Sequence, residues 1–176
     1  MQTGCVVVQM PRKPRQLSEQ ELAEINAQYH AYEQEALLEP MAYVPHDTNA
    51  HLDDAMRALI TACADPHEGL AMGYKYWCLM ELLAARKGHF YDVGNERGWQ
   101  FLSIDMSTCG VVVSVAECRE LVELLVSIGL LSQSCYTEAH HIISDRICRN
   151  AERYAKGVAD KKIGAWKTNR AKAKQG

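Results

Sequence analysis

Residues 68–87 read EGLAMGYKYWCLMELLAARK, and this stretch decides the fold. As a helix of about five turns, it carries Leu70, Met72, Tyr74, Tyr76, Trp77, Cys78, Leu79, Met80, Leu82 and Leu83 on nearly every side. A helix apolar on most faces is covered by neighbours on most faces, so the pattern predicts a central rod with Trp77 at its heart. Glu81 falls in that apolar wall one turn beyond Trp77, where an unpaired carboxylate is costly and a donor or water is expected beside it. No second acid or His occupies a neighbouring helical position, which argues against a catalytic carboxylate.

On the N-terminal side, Asp65–Pro66 separates the rod from a helix at 53–64 whose Ala55, Met56, Leu59, Ile60 and Cys63 point inward. Residues 42–54, AYVPHDTNAHLDD, form an extended lead-in and a turn: Val44 precedes Pro45, and Asp47, Thr48, Asn49 and Asp53 favour turns and caps. Further back, Ser18 and Glu21 make a capping box for a helix over 16–39. Its Leu22, Ile25, Tyr29, Tyr32 and Ala36 recur at spacings of 3, 4, 3 and 4, a narrow seam that serves either this domain or another chain. Residues 1–15 read as a flexible arm in which Pro11 and Pro14 bracket Arg12 and Lys13.

On the C-terminal side, HFYDV at 89–93 is β-prone, and Gly94, Asn95 and Gly98 mark a loop. Trp99, Phe101, Leu102, Ile104 and Met106 fit a short helix or a strand equally, and Thr108, Cys109 and Gly110 make a break. Ser114 caps a helix with Val115, Cys118, Leu121, Val122, Leu125 and Ile128 as one stripe, ended by Gly129. Residues 130–143 read as a β-hairpin with YTEA as its turn. Ser144 caps a last helix packed through Ile143, Ile147, Ala151, Tyr154 and Val158, and 161–176 trail away as a basic tail.

At 176 residues the chain holds one real core plus extensions. No apolar run approaches membrane-spanning length, and the early CVVV run is followed rather than preceded by its cations, unlike a signal peptide. The reading is therefore cytoplasmic, with no membrane partner. Seven cysteines without a CxxC suit neither a disulfide framework nor zinc. With no Gly-rich phosphate loop, HExxH, GxSxG or clustered acid pair, no metal, cofactor or enzymatic activity is expected. His89, His140 and His141 read as surface histidines.

The net charge of −3 hides an asymmetry. Residues 1–143 hold 9 Lys/Arg against 19 Asp/Glu, net −10, whereas 144–176 hold 10 against 3, net +7. Such a division concerns partners rather than fold. Arg146, Arg149, Arg153 and Lys156 follow at spacings of 3, 4 and 3 opposite the packed stripe of the last helix. Lys161, Lys162, Lys167, Arg170, Lys172 and Lys174 continue the basic run, with Trp166 placed to stack on a base or pack on a partner. A solvated basic face is the plainer alternative.

The blocks YVPHDTNAHLDDAMRAL, GYKYWCLMELL, WQFLSIDM, ELLVSIGLL and IISDRI, in this order over about residues 43–154, resemble the DnaD-like winged-helix N-terminal domain of phage and prophage replication-organiser proteins. The resemblance implies a mainly α fold with a small β-hairpin wing, a winged helix-turn-helix over 42–160 preceded by an extra helix. It would make 99–106 and 114–128 the two helices of the helix-turn-helix and 130–143 the wing, in a phage-encoded protein of DNA metabolism. The chain departs from the family in its first 40 residues, in its short continuation beyond the domain and in its second helix. There Glu117, Glu120 and Glu123 surround a single Arg119, and carboxylates are repelled by phosphate.

Two functions follow. In the first, the protein is a replication accessory of the bacterial host cell's cytoplasm that binds duplex or single-stranded DNA through the basic helix and tail. In the second, it is a phage-encoded inhibitor of the anti-CRISPR type. That protein would engage a host or phage nucleic-acid enzyme through Leu22, Ile25, Tyr29 and Tyr32 and through Glu117, Glu120 and Glu123. Either is compatible with a homodimer.

Overall fold

The computed structural model describes residues 17–42, 53–108 and 113–173. The arm at 1–15, the PHDTNA turn, the break at 109–110 and Lys174 lie outside the described residues. Within them the order is α1 (Glu19–Leu38), α2 (Asp54–Ala62), α3 (Pro66–Ala84), β1 (Tyr91–Asp92), α4 (Glu96–Thr108), α5 (Val115–Ser127), α6 (Gln133–Ala139), β2 (His141–Ile142) and α7 (Asp145–Ala173). Among the described residues no helix is long and apolar enough to cross a membrane.

Local chemistry sets most of the boundaries. Ser18 and Glu21 exchange 3.2 Å hydrogen bonds to open α1, and Ser114 and Glu117 do the same for α5 at 3.2 and 2.7 Å. Asp53 opens α2 by accepting the Ala55 N–H at 2.8 Å. Asp65 accepts the His67 N–H at 3.0 Å, and Pro66 stands in the first turn of α3, so the pair starts that helix, whereas α2 has already ended at Ala62 with Cys63 extended.

Helix α3 is the hub, although not on all sides. Tyr76, Leu79, Met80 and Leu83 are fully buried, whereas Leu70 and Tyr74 are about half exposed and Glu81 is exposed. The expected burial of Glu81 is thus corrected. Trp77 is only partly buried, and Tyr76 takes the central place assigned to it. Against α3 pack α2, α4 and α5, which bring in Leu59, Leu102, Met106, Leu121, Val122 and Leu125. Gly69 lets α2 come close: a Cβ there would lie 2.7 Å from Ile60 Cα.

The hairpin expected at 130–143 does not form. The Leu130 and Leu131 N–H groups both donate to Leu125 C=O, at 2.8 and 3.2 Å, so these residues finish α5 instead of starting a strand. Ser132 then caps α6 by accepting the Cys135 N–H, and His140, at φ 54°, ends it in the left-handed region. The strand that follows, β2, pairs antiparallel with β1, Tyr91 opposite Ile142 and Asp92 opposite His141. The result is a mainly helical protein with a small two-strand antiparallel sheet.

The basic stretch over 161–173 is helical, because α7 is one continuous helix to Ala173. It buries Ile147, Ala151, Ala155, Ala159 and Ile163, a stripe of four-residue steps in which Ala155 and Ala159 replace the expected Tyr154 and Val158. Small alanines allow a second helix to lie close, and α1 does so, antiparallel: Glu35 meets Lys162, and Glu24 meets Arg170 further along. The seam of α1 therefore serves its own chain, with Ala36 buried and Ile25, Tyr29 and Tyr32 half-buried. Met41, just beyond α1, donates its N–H to Ala84 C=O at 2.9 Å and joins the core.

Candidate functional site

Helix α7 sorts its cations into two groups. At 100° per residue, Arg149, Arg153, Lys156 and Lys167 fall within an arc of about 60°, along about 27 Å of axis. All four are exposed and make no ion pair among the described residues. Asp160 interrupts the row between Lys156 and Lys167. Lys161 and Lys172 are exposed on a neighbouring face of the same helix.

The other cations named for nucleic acid are paired with acids of the chain. Arg146 is paired to Asp53 and lies over the Trp77 ring, 4.7 Å from its centroid. Burial works against its charge, but the Asp53 carboxylate outweighs this, and the guanidinium is held protonated above its ordinary value. Its place on the exposed basic face is therefore corrected: it joins α7 to the start of α2. Lys162 binds Glu35 at 2.7 Å and sits 5.2 Å from the Tyr32 ring, and Arg170 pairs with Glu24 while lying 5.1 Å from Trp166. Trp166 is half-buried at a groove with Leu17, Ile25 and Ala171, so α1 occupies the faces these three residues were expected to offer.

On α5, Glu120 and Glu123 are exposed, but Glu117 is engaged. It receives the Ser114 N–H at 2.7 Å and Lys75 Nζ at 3.3 Å. The Ser114 backbone and hydroxyl and then Lys75 pull its carboxyl down to about 2, so its charge completes a helix cap. Leu22 stays about half exposed on α1.

Sequence reasoning did not assemble a second concavity. Val93, Gly94, Asn95, Glu96 and Trp99 line it from β1 through α4, Arg119 from α5, and Tyr136, Thr137 and His140 from α6 and its end; it encloses about 460 Å³. Arg119 is held twice, by Glu96 at 2.5 Å and over the Trp99 ring at 4.5 Å. Burial, with Glu123 nearby, pushes the Tyr136 hydroxyl up despite Arg119, so it remains a donor. The hairpin reading hid this site, because it took Tyr136 and Thr137 for a turn. Ser132, three residues before the N–H that it caps, was the available signal for a helix.

His89, expected at the surface, is buried, and neither ring nitrogen has a hydrogen-bond partner among the described residues. His140 is exposed, and His141 stacks on Phe90 at 4.4 Å. Among the described residues no group of His, Cys, Asp and Glu is arranged to hold a metal.

No family model matches the chain. No curated protein and no solved structure gives a significant match either.

Proposed function

We propose that the protein binds nucleic acid through the exposed cation row of α7 and acts as a phage-encoded accessory of DNA metabolism in the bacterial cytoplasm. The observation that carries this reading is the division of the α7 cations. Arg146, Lys162 and Arg170 are neutralised within the chain, while Arg149, Arg153, Lys156 and Lys167 face solvent in one line with no acid paired to them among the described residues. Unpaired cations in a line suit a phosphodiester backbone and carry no base preference of their own. In this reading α3, β1, α4 and α5 are a helix-turn-helix core of the winged-helix type, with α6 standing where the wing is expected. The order of elements and the blocks resembling replication-organiser proteins support it.

The test is a titration of labelled duplex and single-stranded DNA over a range of salt. Changing Arg149, Arg153 and Lys156 together to Ala should reduce the salt slope by about three units for duplex, at about 0.9 per phosphate contact. Arg146→Ala should leave the slope unchanged. A slope unaffected by the triple change would overturn the reading.

A second reading, an inhibitor of the anti-CRISPR type that docks on a nucleic-acid enzyme, is favoured by α4 and α5. Glu120 and Glu123 are exposed without ion pairs among the described residues, and Phe101 and Ile104 on α4 are about half exposed. Glu120→Gln with Glu123→Gln should spare DNA binding, or strengthen it, in the first reading, and abolish capture of the enzyme in the second.

A further inference from the structure

The concavity between α4, α5 and α6 has the size and the chemistry of a ligand site. Its volume of about 460 Å³ lies within the range of small-molecule pockets. One wall is a prebuilt stack, since the Arg119 guanidinium lies 4.5 Å from the centroid of Trp99, which is itself 4% exposed. Glu96 pairs with that guanidinium at 2.5 Å.

Charge narrows the ligand class. Arg119 is the one Lys or Arg among the lining residues, and Glu96 already neutralises it, so the wall offers planarity rather than net positive charge. A free phosphate or carboxylate would compete with Glu96 for the same donors. The remaining polar groups are neutral and of mixed sense. The half-buried Tyr136 hydroxyl makes no hydrogen bond within the described residues. The Asn95 side-chain oxygen is taken by the Gly98 N–H at 3.0 Å, which leaves the amide donors of that side chain for a ligand. His140 is fixed at the rim in a left-handed conformation by its C=O, which accepts the Val93 N–H at 2.9 Å, and by its N–H, which donates to Cys135 C=O.

From a planar stack, neutral donors and acceptors and no net charge, we propose that this pocket binds the base of a nucleoside, either free or within a single strand. The ring would lie against the Arg119–Trp99 stack, with Tyr136, Asn95 and His140 reading its edge. This site is separate from the α7 cation row and does not depend on it.

The test uses the whole protein labelled with nitrogen-15, in which the Trp99 indole N–H signal is assigned from Trp99→Phe and followed as each common nucleoside is added to millimolar concentration. At least one should shift it saturably. Tyr136→Phe removes one hydrogen-bonding group from a half-buried position and should weaken binding about fivefold. His140→Gly removes the ring where glycine accepts the positive φ readily, so the fold is kept and binding should weaken by a similar factor. A short homopolymer single strand gives the second arm. A Trp99 shift from nucleoside and strand alike assigns a strand-borne base, and a shift from nucleoside alone assigns a free one. Absence of a nucleoside shift overturns the proposal, whatever the strand does. So does a shift that neither variant weakens. Loss of strand binding on changing the α7 cations would leave the nucleoside result untouched, so the two readings fail separately.

Discussion

The pair of Asp53 and Arg146 gives the sharpest stability prediction. The Asp53 side chain is 11% exposed and that of Arg146 is 23% exposed. Asp53 also caps α2 through the Ala55 N–H, so the test must separate its charge from its cap. Asp53→Asn keeps an accepting oxygen at the cap and removes the charge. Breaking a buried pair costs about 3–5 kcal/mol, and the residual exposure and Trp77 contact of Arg146 reduce this to about 2–3 kcal/mol. Asp53→Ala should lose about 1 kcal/mol more, the worth of the cap. Arg146→Met fills the same space without charge, so adding it to Asp53→Asn should recover part of the loss. Urea unfolding at neutral pH, followed by circular dichroism, measures the natural protein, Asp53→Asn, Asp53→Ala, Arg146→Met and the Asp53→Asn/Arg146→Met double variant. A loss below about 0.5 kcal/mol for Asp53→Asn, or single losses that simply add in the double variant, would refute the reasoning.

Gly69→Ala should destabilise by about 1–3 kcal/mol, because the new methyl meets the Ile60 backbone, whereas Gly73→Ala should cost less, since it meets the flexible end of Met56; thermal melts compare them. The Glu117 carboxyl titrates at about 2 in the folded chain against an ordinary 4.5, so its contribution is complete above 4.5 and is lost as pH falls toward 2. Melting temperature should therefore drop across that window, and Glu117→Gln, which keeps the capping geometry, should flatten the drop. Ala159→Glu would bury a carboxylate in the seam between α1 and α7, and limited proteolysis should then cut within α1 while the core stays resistant.

The parts of this fold that sequence could reveal are those fixed by adjacent residues. The Ser18–Glu21 and Ser114–Glu117 boxes, the Asp53 cap and the stripe through Cys118, Leu121, Val122 and Leu125 depend on spacing within one helix, and they form as spaced. What escaped depended on contacts between distant segments. Nothing near Arg146 announces that Asp53 will meet it across 93 positions. Two-residue strands are too short for alternation to show, so β2 found β1 while 130–143 read as a self-contained hairpin. The α7 cations were visible as a row, but which of them remained exposed was decided by α1. The pocket was invisible because Trp99, Arg119 and Tyr136 belong to three helices.

Joining α1 to α7 also has a consequence for the order of folding. Lys162 and Glu35 stand 127 positions apart, so α1 must wait for α7. At about 5–20 residues per second, α1 leaves the ribosome about 6–25 s before its partner segment exists. During that interval the α3 core can condense from nearer contacts, and docking of α1 is expected as a late step. The narrow seam of Ile25, Tyr29, Tyr32 and Ala36 suits such a delay, because a small apolar edge offers stray chains little to hold. A chain cut short before α7 would carry that edge uncovered, which would mark it as unfinished to a protease.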